Sequence, residues 1–272
     1  MASLAFLIFM LLFSFIGPFF SPYASNGIDT TMIKQPPSLN HLLGTDDYGR
    51  DVLTRLMLAG RISLTVGIAS MILSLVLGTI LGSISGFYGG IIDGIIMRIA
   101  DILMSIPSLP LLIIIAALLS ELKVPAEYRL YIVMLMLSFV GWPGLARLVR
   151  GQILFLREQT YMKAAEILGL GDKRKILNHL IPNTLPLLIV VATLSTASGI
   201  LSESSLSFLG LGVVPPTPSW GNMISTANNL LDFQKRPWLW VPPGVAIFLT
   251  VVAINLLGDA IRDALDPKMK GM

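Results

Sequence analysis

Between Arg61 and Tyr88 the chain runs through Ile62–Phe87 without a charged side chain. That run constrains the fold more than any other feature, because about 20 consecutive apolar residues are what a helix needs to cross the hydrocarbon core of a bilayer. Apolar runs recur at Ala2–Phe20, Ile102–Leu119, Leu130–Ala146, Leu185–Leu201 and Trp240–Ile261, which makes six candidate spans. Of 272 residues, 54% are hydrophobic and 13% charged; the charged share is about half that of soluble domains. No polar block is long enough to form a water-soluble domain. The expected fold is therefore all-α, an integral membrane protein of six transmembrane helices forming one domain over residues 1–272. Ala2–Phe20 lacks a basic flank, and Ser21-Pro22-Tyr23 is a poor cleavage site, so this run reads as a membrane helix rather than a leader. The missing flank places the usual start upstream and makes this N-terminus a short one.

The longest polar interruption, Arg147–Pro182, carries Arg147, Arg150, Arg157, Lys163, Lys173, Arg174 and Lys175 against Glu158, Glu166 and Asp172, so its net +4 exceeds the +3 of the whole chain. Basic residues beside spans stay on the cytoplasmic side, which places about 147–182 there. The tail with Arg262, Lys268 and Lys270 follows, and with six spans so does the N-terminus. Ser21–Gly60, Glu121–Arg129 and Gly210–Leu239 then face outward. The basic excess belongs to the lipid bilayer and is no nucleic-acid signal.

Within the polar segment Tyr161, Ala164, Ala165 and Leu168 recur at helical spacing. Gly169-Leu170-Gly171 breaks the run. Asp172 suits the N-cap of a second helix with Ile176, Leu177 and Leu180 on one side and Lys173, Arg174 and Lys175 outward, and Pro182 opens the next span. Two readings stay open: an interfacial helix pair on anionic headgroups, or a rigid plug that docks into a partner protein.

Other residues narrow the chemistry. There is no cysteine, hence no disulfide and no thiolate site. His41 and His179 fall on opposite sides of the membrane, so no His-pair metal site forms, and no metal is expected. No phosphate-binding G-x-x-x-x-G-K-[ST] and no H-E-x-x-H occurs, which argues against an enzyme. A proton- or sodium-driven carrier would need mid-span acids or broken helices in matching halves, and neither is visible. Ser70, Ser74, Gly78, Gly82, Gly86 and Gly90 recur every four residues, a helix-packing pattern centred on Gly78, Gly82 and Gly86. Glu203, near the outer end of the fifth span, reads either as a substrate contact or as a structural or gating contact to Ser202, Ser204 or a helix end. Thr193, Ser195, Thr196 and Ser198 either line an aqueous path or bond to carbonyls of their own helix. Asp46, Asp47 and Asp51 fit no calcium loop. They read instead as part of a short amphipathic helix in the outer loop (about 21–60), capped by Thr45 or Asp46, with Asp51 and Arg55 paired at i,i+4 and Val52, Leu56 and Ala59 facing bilayer or protein. Asp259, Arg262 and Asp263 read as an interfacial anchor.

Four motifs carry a resemblance. Ala164-Ala165, Gly169 and Ile181-Pro182 resemble the "EAA" signature of permease subunits of ATP-binding-cassette importers, with Lys163, His179 and Ile181 departing from it. His41-Leu42-Leu43-Gly44-Thr45-Asp46-Asp47-Tyr48-Gly49-Arg50-Asp51-Val52 resembles a segment of the dipeptide/oligopeptide/nickel subfamily. So does Glu203-Ser204-Ser205-Leu206-Ser207-Phe208-Leu209-Gly210-Leu211-Gly212, with Pro215-Pro216-Thr217-Pro218-Ser219-Trp220-Gly221 after it. Gly258-Asp259, Arg262-Asp263 and Leu265-Asp266-Pro267 resemble the C-terminal signature. The match is to the second, "C"-type permease. The resemblance implies a type I ABC-importer permease in the cell membrane, with a cytoplasmic coupling helix between the fourth and fifth spans. Lys163, Ala164, Ala165, Glu166, Gly169, Leu170, Gly171 and Asp172 would meet the ATPase, and Gly44, Asp46, Gly49, Arg50 and Asp51 would form the outer motif. Ser198, Ser202 and Glu203 stand as translocation-path candidates. The chain would bind no cofactor, ATP and Mg being used by partners. Those partners are a related permease subunit, two cytosolic ATP-binding subunits and an extracytoplasmic peptide-binding protein. Peptides are the expected cargo and nickel the alternative.

Overall fold

The computed structural model describes residues 1–24, 26–122 and 124–265; Asp266, Pro267, Lys268 and Lys270 of the expected tail lie outside them. Among the described residues the regular elements are helices, with one isolated antiparallel bridge between Thr45 and Asp51.

Helix α1 (Ala2–Phe15) gives way to a 3-10 turn at Gly17–Phe20, where Pro18 lacks the donor that an α-helix would use. Helix α2 (Val52–Tyr88) runs 37 residues, about 55 Å at 1.5 Å per residue. The short separate helix expected in the outer loop is not formed, because residues 52–60 are the first turns of α2. The cap is Asp51, not Thr45 or Asp46: its carboxylate accepts from Thr54 N at 2.8 Å and Thr54 Oγ1 at 2.7 Å. Arg55 turns to Asp46 at 3.3 Å instead of Asp51. Val52, Leu56 and Ala59 are buried in protein.

Helix α3 (Gly90–Ser105) and α4 (Ser108–Glu121) meet at an 88° bend. The expected third span, Ile102–Leu119, is therefore broken. Pro107 forces the residue before it out of the helical region, and Ile106 is extended at φ −93, ψ 127. Helix α5 (Ala126–Arg157) continues through Pro143. It packs parallel to α2: Gly78 lies on Leu145, Gly82 on Ala146 and Val149, Gly86 on Arg150 and Ile153. A Cβ on Gly82 would stand 2.5 Å from the Ala146 carbonyl oxygen, so backbone meets backbone along this seam. Because α2 and α5 point the same way, α3 and α4 must together carry the chain back.

Helix α6 (Thr160–Ile167) follows, then α7 (Asp172–Lys175). No break separates α7 from the next span. A π-helical stretch at Ile176–Leu180 joins it to α8 (Ile181–Phe208), one apolar helix of 37 residues from Asp172. In this wider turn Ile181 N bonds five residues back to Ile176 O, immediately before Pro182, which has no donor of its own. The N-cap is Gly171 rather than Asp172. After α8 come α9 (Trp220–Ile224), α10 (Leu230–Lys235) and α11 (Pro237–Leu265).

Among the described residues four helices are long and apolar enough to cross a membrane: α2, α5, the joined α7–α8 and α11; counted as one span, the bent pair α3–α4 brings the number to five, and α1 is shorter. The chain is a multi-pass membrane protein. Its largest buried cluster gathers Met10, Val52, Leu56, Ile200, Trp220 and Ile254 from α1, α2, α8, α9 and α11, while Ile72, Val76, Ile80, Phe248 and Leu256 stay exposed on the outside of the bundle.

Candidate functional site

One end of the bundle is closed by a folded cap made of the loop before α2 and the segment from Gly210 to Arg236. Gly44 and Gly49 sit at φ +71 and +72, and a Cβ would lie 2.5 Å from Gln35 O at the first and 1.8 Å from Asp29 O at the second. Only glycine fits either place. The Asp46 carboxylate accepts from Tyr48 N at 2.9 Å, Arg50 N at 3.0 Å and Arg50 Nε at 2.7 Å, which fixes the intervening turn. Asp51, besides capping α2, lies 3.0 Å from His41 Nδ1. Lys34 bridges Asp47 at 2.5 Å and Asp232 at 2.8 Å, and Arg236 also pairs with Asp232. Burial opposes the charge on Lys34, yet hydrogen bonds to Asp232 and Asp47 leave its pKa raised. Burial likewise opposes ionisation of Asp232, yet Lys34 and Arg236 hold its pKa below the ordinary value. Gly44, Asp46, Gly49, Arg50 and Asp51 thus hold the cap's own shape.

Beneath the cap, Glu203 is fully buried. It accepts from Ser63 Oγ of α2 at 2.9 Å, Ser207 Oγ at 2.6 Å and Ser204 Oγ at 3.4 Å. Ser63 Oγ in turn accepts from Trp220 N at 3.1 Å, and the Trp220 indole donates to Leu56 O at 3.2 Å. Ser207 Oγ accepts from Val213 N at 2.9 Å. A single carboxylate therefore joins α2, α8, the following loop and α9. Ser63 and Trp220 lie 140 and 17 residues away in sequence; no local pattern links Ser63 to Glu203.

Deeper in the bundle, α2, α4, α5 and α8 line a cavity of about 340 Å³ that is open on one side. Ser198 and Ser202 line it with Ser195, Gly199, Ser70, Ser74, Ser108 and Gly141; Glu203 does not. Ser70 and Ser74 entered the sequence reading only as part of the small-residue row. Ser198 Oγ donates to Leu194 O at 3.2 Å and Thr196 Oγ1 to Ala192 O at 2.9 Å, so hydroxyls here also bond within their own helix.

The opposite end is differently built. Met162 and Ala165 are buried on the inner face of α6, where Met162 joins Leu156, Leu180 and Leu188. Of Tyr161, Ala164, Ala165 and Leu168, which recur at helical spacing, only Ala165 is buried, because the helix settles on the Met162–Ala165 side. Lys163, Ala164, Glu166 and Asp172 are exposed. Ile167 is 87% and Leu168 77% exposed. Gly169, at φ +71, ends α6 with Gly169 N to Glu166 O at 2.9 Å and Leu170 N to Ala165 O at 3.0 Å, the double-bonded C-terminal turn that favours glycine. Asp172 pairs with Lys175 at 3.1 Å. Lys175 is not outward: its ammonium lies 5.5 Å from the Phe87 ring centre. Of the arginines behind α6, Arg150 grips Asp93 of α3 through two bonds of 2.5 Å, Arg147 pairs with Asp101, and Arg157 donates to Phe87 O at 2.9 Å at the end of α2.

A multi-helix membrane bundle with a closed cap, a hydroxyl-lined cavity and an exposed helix–turn–helix at the far end is the architecture of a transport subunit. Residues 78–271 match the family described as the binding-protein-dependent transport system inner membrane component, and residues 1–37 match the N-terminal TM domain of oligopeptide transport permease C. The chain is 40% identical over 272 residues to the glutathione transport system permease protein GsiD of Shigella flexneri serotype 5b, covering 100% of this chain and 87% of that one. The GsiD protein of Escherichia coli O6:K15:H31 is 39% identical over the same 272 residues, with the same coverage. The chain belongs to the family of membrane permease components of binding-protein-dependent ABC importers. It is a non-catalytic subunit working with other permease, ATP-binding and substrate-binding proteins, and ATP hydrolysis resides in separate subunits.

Proposed function

We propose that the chain is the second permease of an ATP-driven peptide importer in the cell membrane, both termini cytoplasmic, pairing with a related permease subunit. Two cytosolic subunits hydrolyse ATP with Mg, and an extracytoplasmic protein delivers the peptide. The oligopeptide-permease match at the N-terminus and the glutathione-permease relatives, which carry a tripeptide in their names, support peptides over nickel. The observation that carries the mechanism is the turn at Gly169: α6 presents Ile167 and Leu168 beyond the bundle, and α7 runs into α8 without a break. A push on that turn is delivered along one helix to the cavity and to Glu203. ATP must favour one state of the assembly through different contacts in the two states.

Six crossings support this orientation. The 14 residues of α1 reach about 21 Å and the 3-10 turn adds about 8 Å, close to the ~30 Å hydrocarbon core. With α1 as one crossing and α3–α4 as another, the total is six, and one permease domain spans residues 1–272.

The test is uptake of a labelled peptide together with pull-down of the ATPase. Gly169→Val, or Ala164→Asp with Ala165→Asp, should abolish both at least tenfold while the protein still reaches the membrane. Uptake that persists without ATPase and collapses with the proton gradient overturns the reading.

A further inference from the structure

The cavity among α2, α4, α5 and α8 has a composition that bears on which peptides pass. None of its lining residues carries a charge. Its polar atoms are hydroxyls: Ser70 and Ser74 from α2, Ser108 from the start of α4, and Ser195, Ser198 and Ser202 from α8. Ser70 Oγ donates to Val66 O at 2.7 Å and Ser74 Oγ to Ser138 O at 3.3 Å. A hydroxyl that donates to a carbonyl keeps lone pairs to accept, so these two oxygens still offer acceptors.

On α8 the three serines follow at intervals of three and four residues, which puts them on one face. At 1.5 Å per residue Ser195 to Ser202 rises about 10.5 Å. An extended peptide advances about 3.3 Å per residue, so the column matches roughly three residues of substrate backbone. Ser198 Oγ, like Ser70 and Ser74, already donates to a helix carbonyl and so offers lone pairs to the N–H groups of a substrate backbone, without regard to the side chains between them. A lining without fixed charge pays no attention to the sign of those side chains and holds no ionised group tightly.

We infer that this wall of the path reads the backbone of short extended peptides and is blind to their charge, with Ser198 at the centre of the reading column. The inference rests on the peptide-importer reading above.

The experiment uses the whole importer, with its ATPase and binding protein, in proteoliposomes. Uptake of acidic, neutral and basic tripeptides at saturating concentration is compared for the parent and for Ser198→Asp, Ser198→Lys and Ser202→Asp, each normalised to the assembled complex recovered. The parent should move all three peptides at maximal rates within about threefold. Ser198→Asp should slow acidic relative to basic peptides at least tenfold, Ser198→Lys should reverse that order, and Ser202→Asp should follow Ser198→Asp. A misfolded variant loses all three peptides together and produces no reversal, and the Ser202 variant then decides. Variants that assemble yet change the three peptides equally, or a parent already selective for charge, overturn the inference while leaving the importer reading intact. A parent that shows no ATP-dependent uptake of any peptide overturns the importer reading itself.

Discussion

The two ends of the bundle are held in opposite ways. At the cap, the charged residues are tied to one another and to the fold: Lys34 to Asp232 across 198 positions, Asp46 to Arg50 and Arg55, Asp51 to Thr54 and His41. At the far end, α6 rests on Met162 and Ala165 alone and leaves Ile167 and Leu168 uncovered. Local stability follows the density of buried contacts and satisfied polar groups. The cap is thus built to stay fixed, and the α6–α7 turn to be completed by something outside the chain. Between them lies the α2–α5 seam, where glycines hold two parallel helices at backbone contact.

That contrast can be broken by substitution, and the seam should yield the largest effect. Gly82→Ile places a branched side chain where Ala146 O and the Val149 Cβ lie 2.5 and 2.8 Å from a Cβ. Overpacking of this kind costs about 3 kcal/mol, and the purified protein should melt well below the parent or fail to accumulate.

In the cap, Asp232→Asn should cost about 2 kcal/mol, through loss of charge-assisted bonds to Lys34 and Arg236. The pH dependence separates this from a packing effect. Asp232 has a depressed pKa, so its contribution is present above the ordinary carboxylate value and is lost as pH falls through the depressed one. Lys34 has a raised pKa, so its contribution holds below the ordinary lysine value and fades as pH rises through the raised one. The parent's melting temperature should therefore fall at both acid and alkaline extremes. Asp232→Asn should flatten the acid limb; an unchanged acid limb means that the latch does not form.

Asp51→Ala removes the N-cap of α2 and should cost about 1.5 kcal/mol. Asp51→Asn keeps the cap and should recover most of it, so equal losses in the two would shift the weight to the His41 contact. At the far end Ile167→Asp should change stability by less than about 0.5 kcal/mol, because its side chain is exposed, yet it should reduce ATPase pull-down severalfold. A large drop in melting temperature there would show that the turn is held as firmly as the cap.

Part of this architecture was legible in the residues. The row Gly78, Gly82 and Gly86 announced a close helix contact, and Gly169 announced a helix stop, since both signals are local. The identity of the partner helix was not legible, because a glycine row does not say what lies against it. Asp172 looked like a cap, but the run through Pro182 into α8 depended on a π turn that no residue type marks. Ile102–Leu119 looked like one span by hydropathy, although Pro107, where the helix breaks, was visible within it; that α3 then pairs with α5 through Asp93–Arg150 and Asp101–Arg147 was not legible.

The sequence by itself determined that the chain is a helical membrane protein of the permease family, that α6 stops at Gly169, and that the chain carries no phosphate-binding motif. Periodicity, charge and motif are properties of neighbours along the chain. Only the tertiary structure decided that α2 and α5 run parallel, that Glu203 binds Ser63 beneath Trp220, and that six serines from three helices share one cavity. Those facts are contacts between residues far apart in sequence, set by which faces can pack closely and by where a buried polar group such as the Glu203 carboxylate finds its partners.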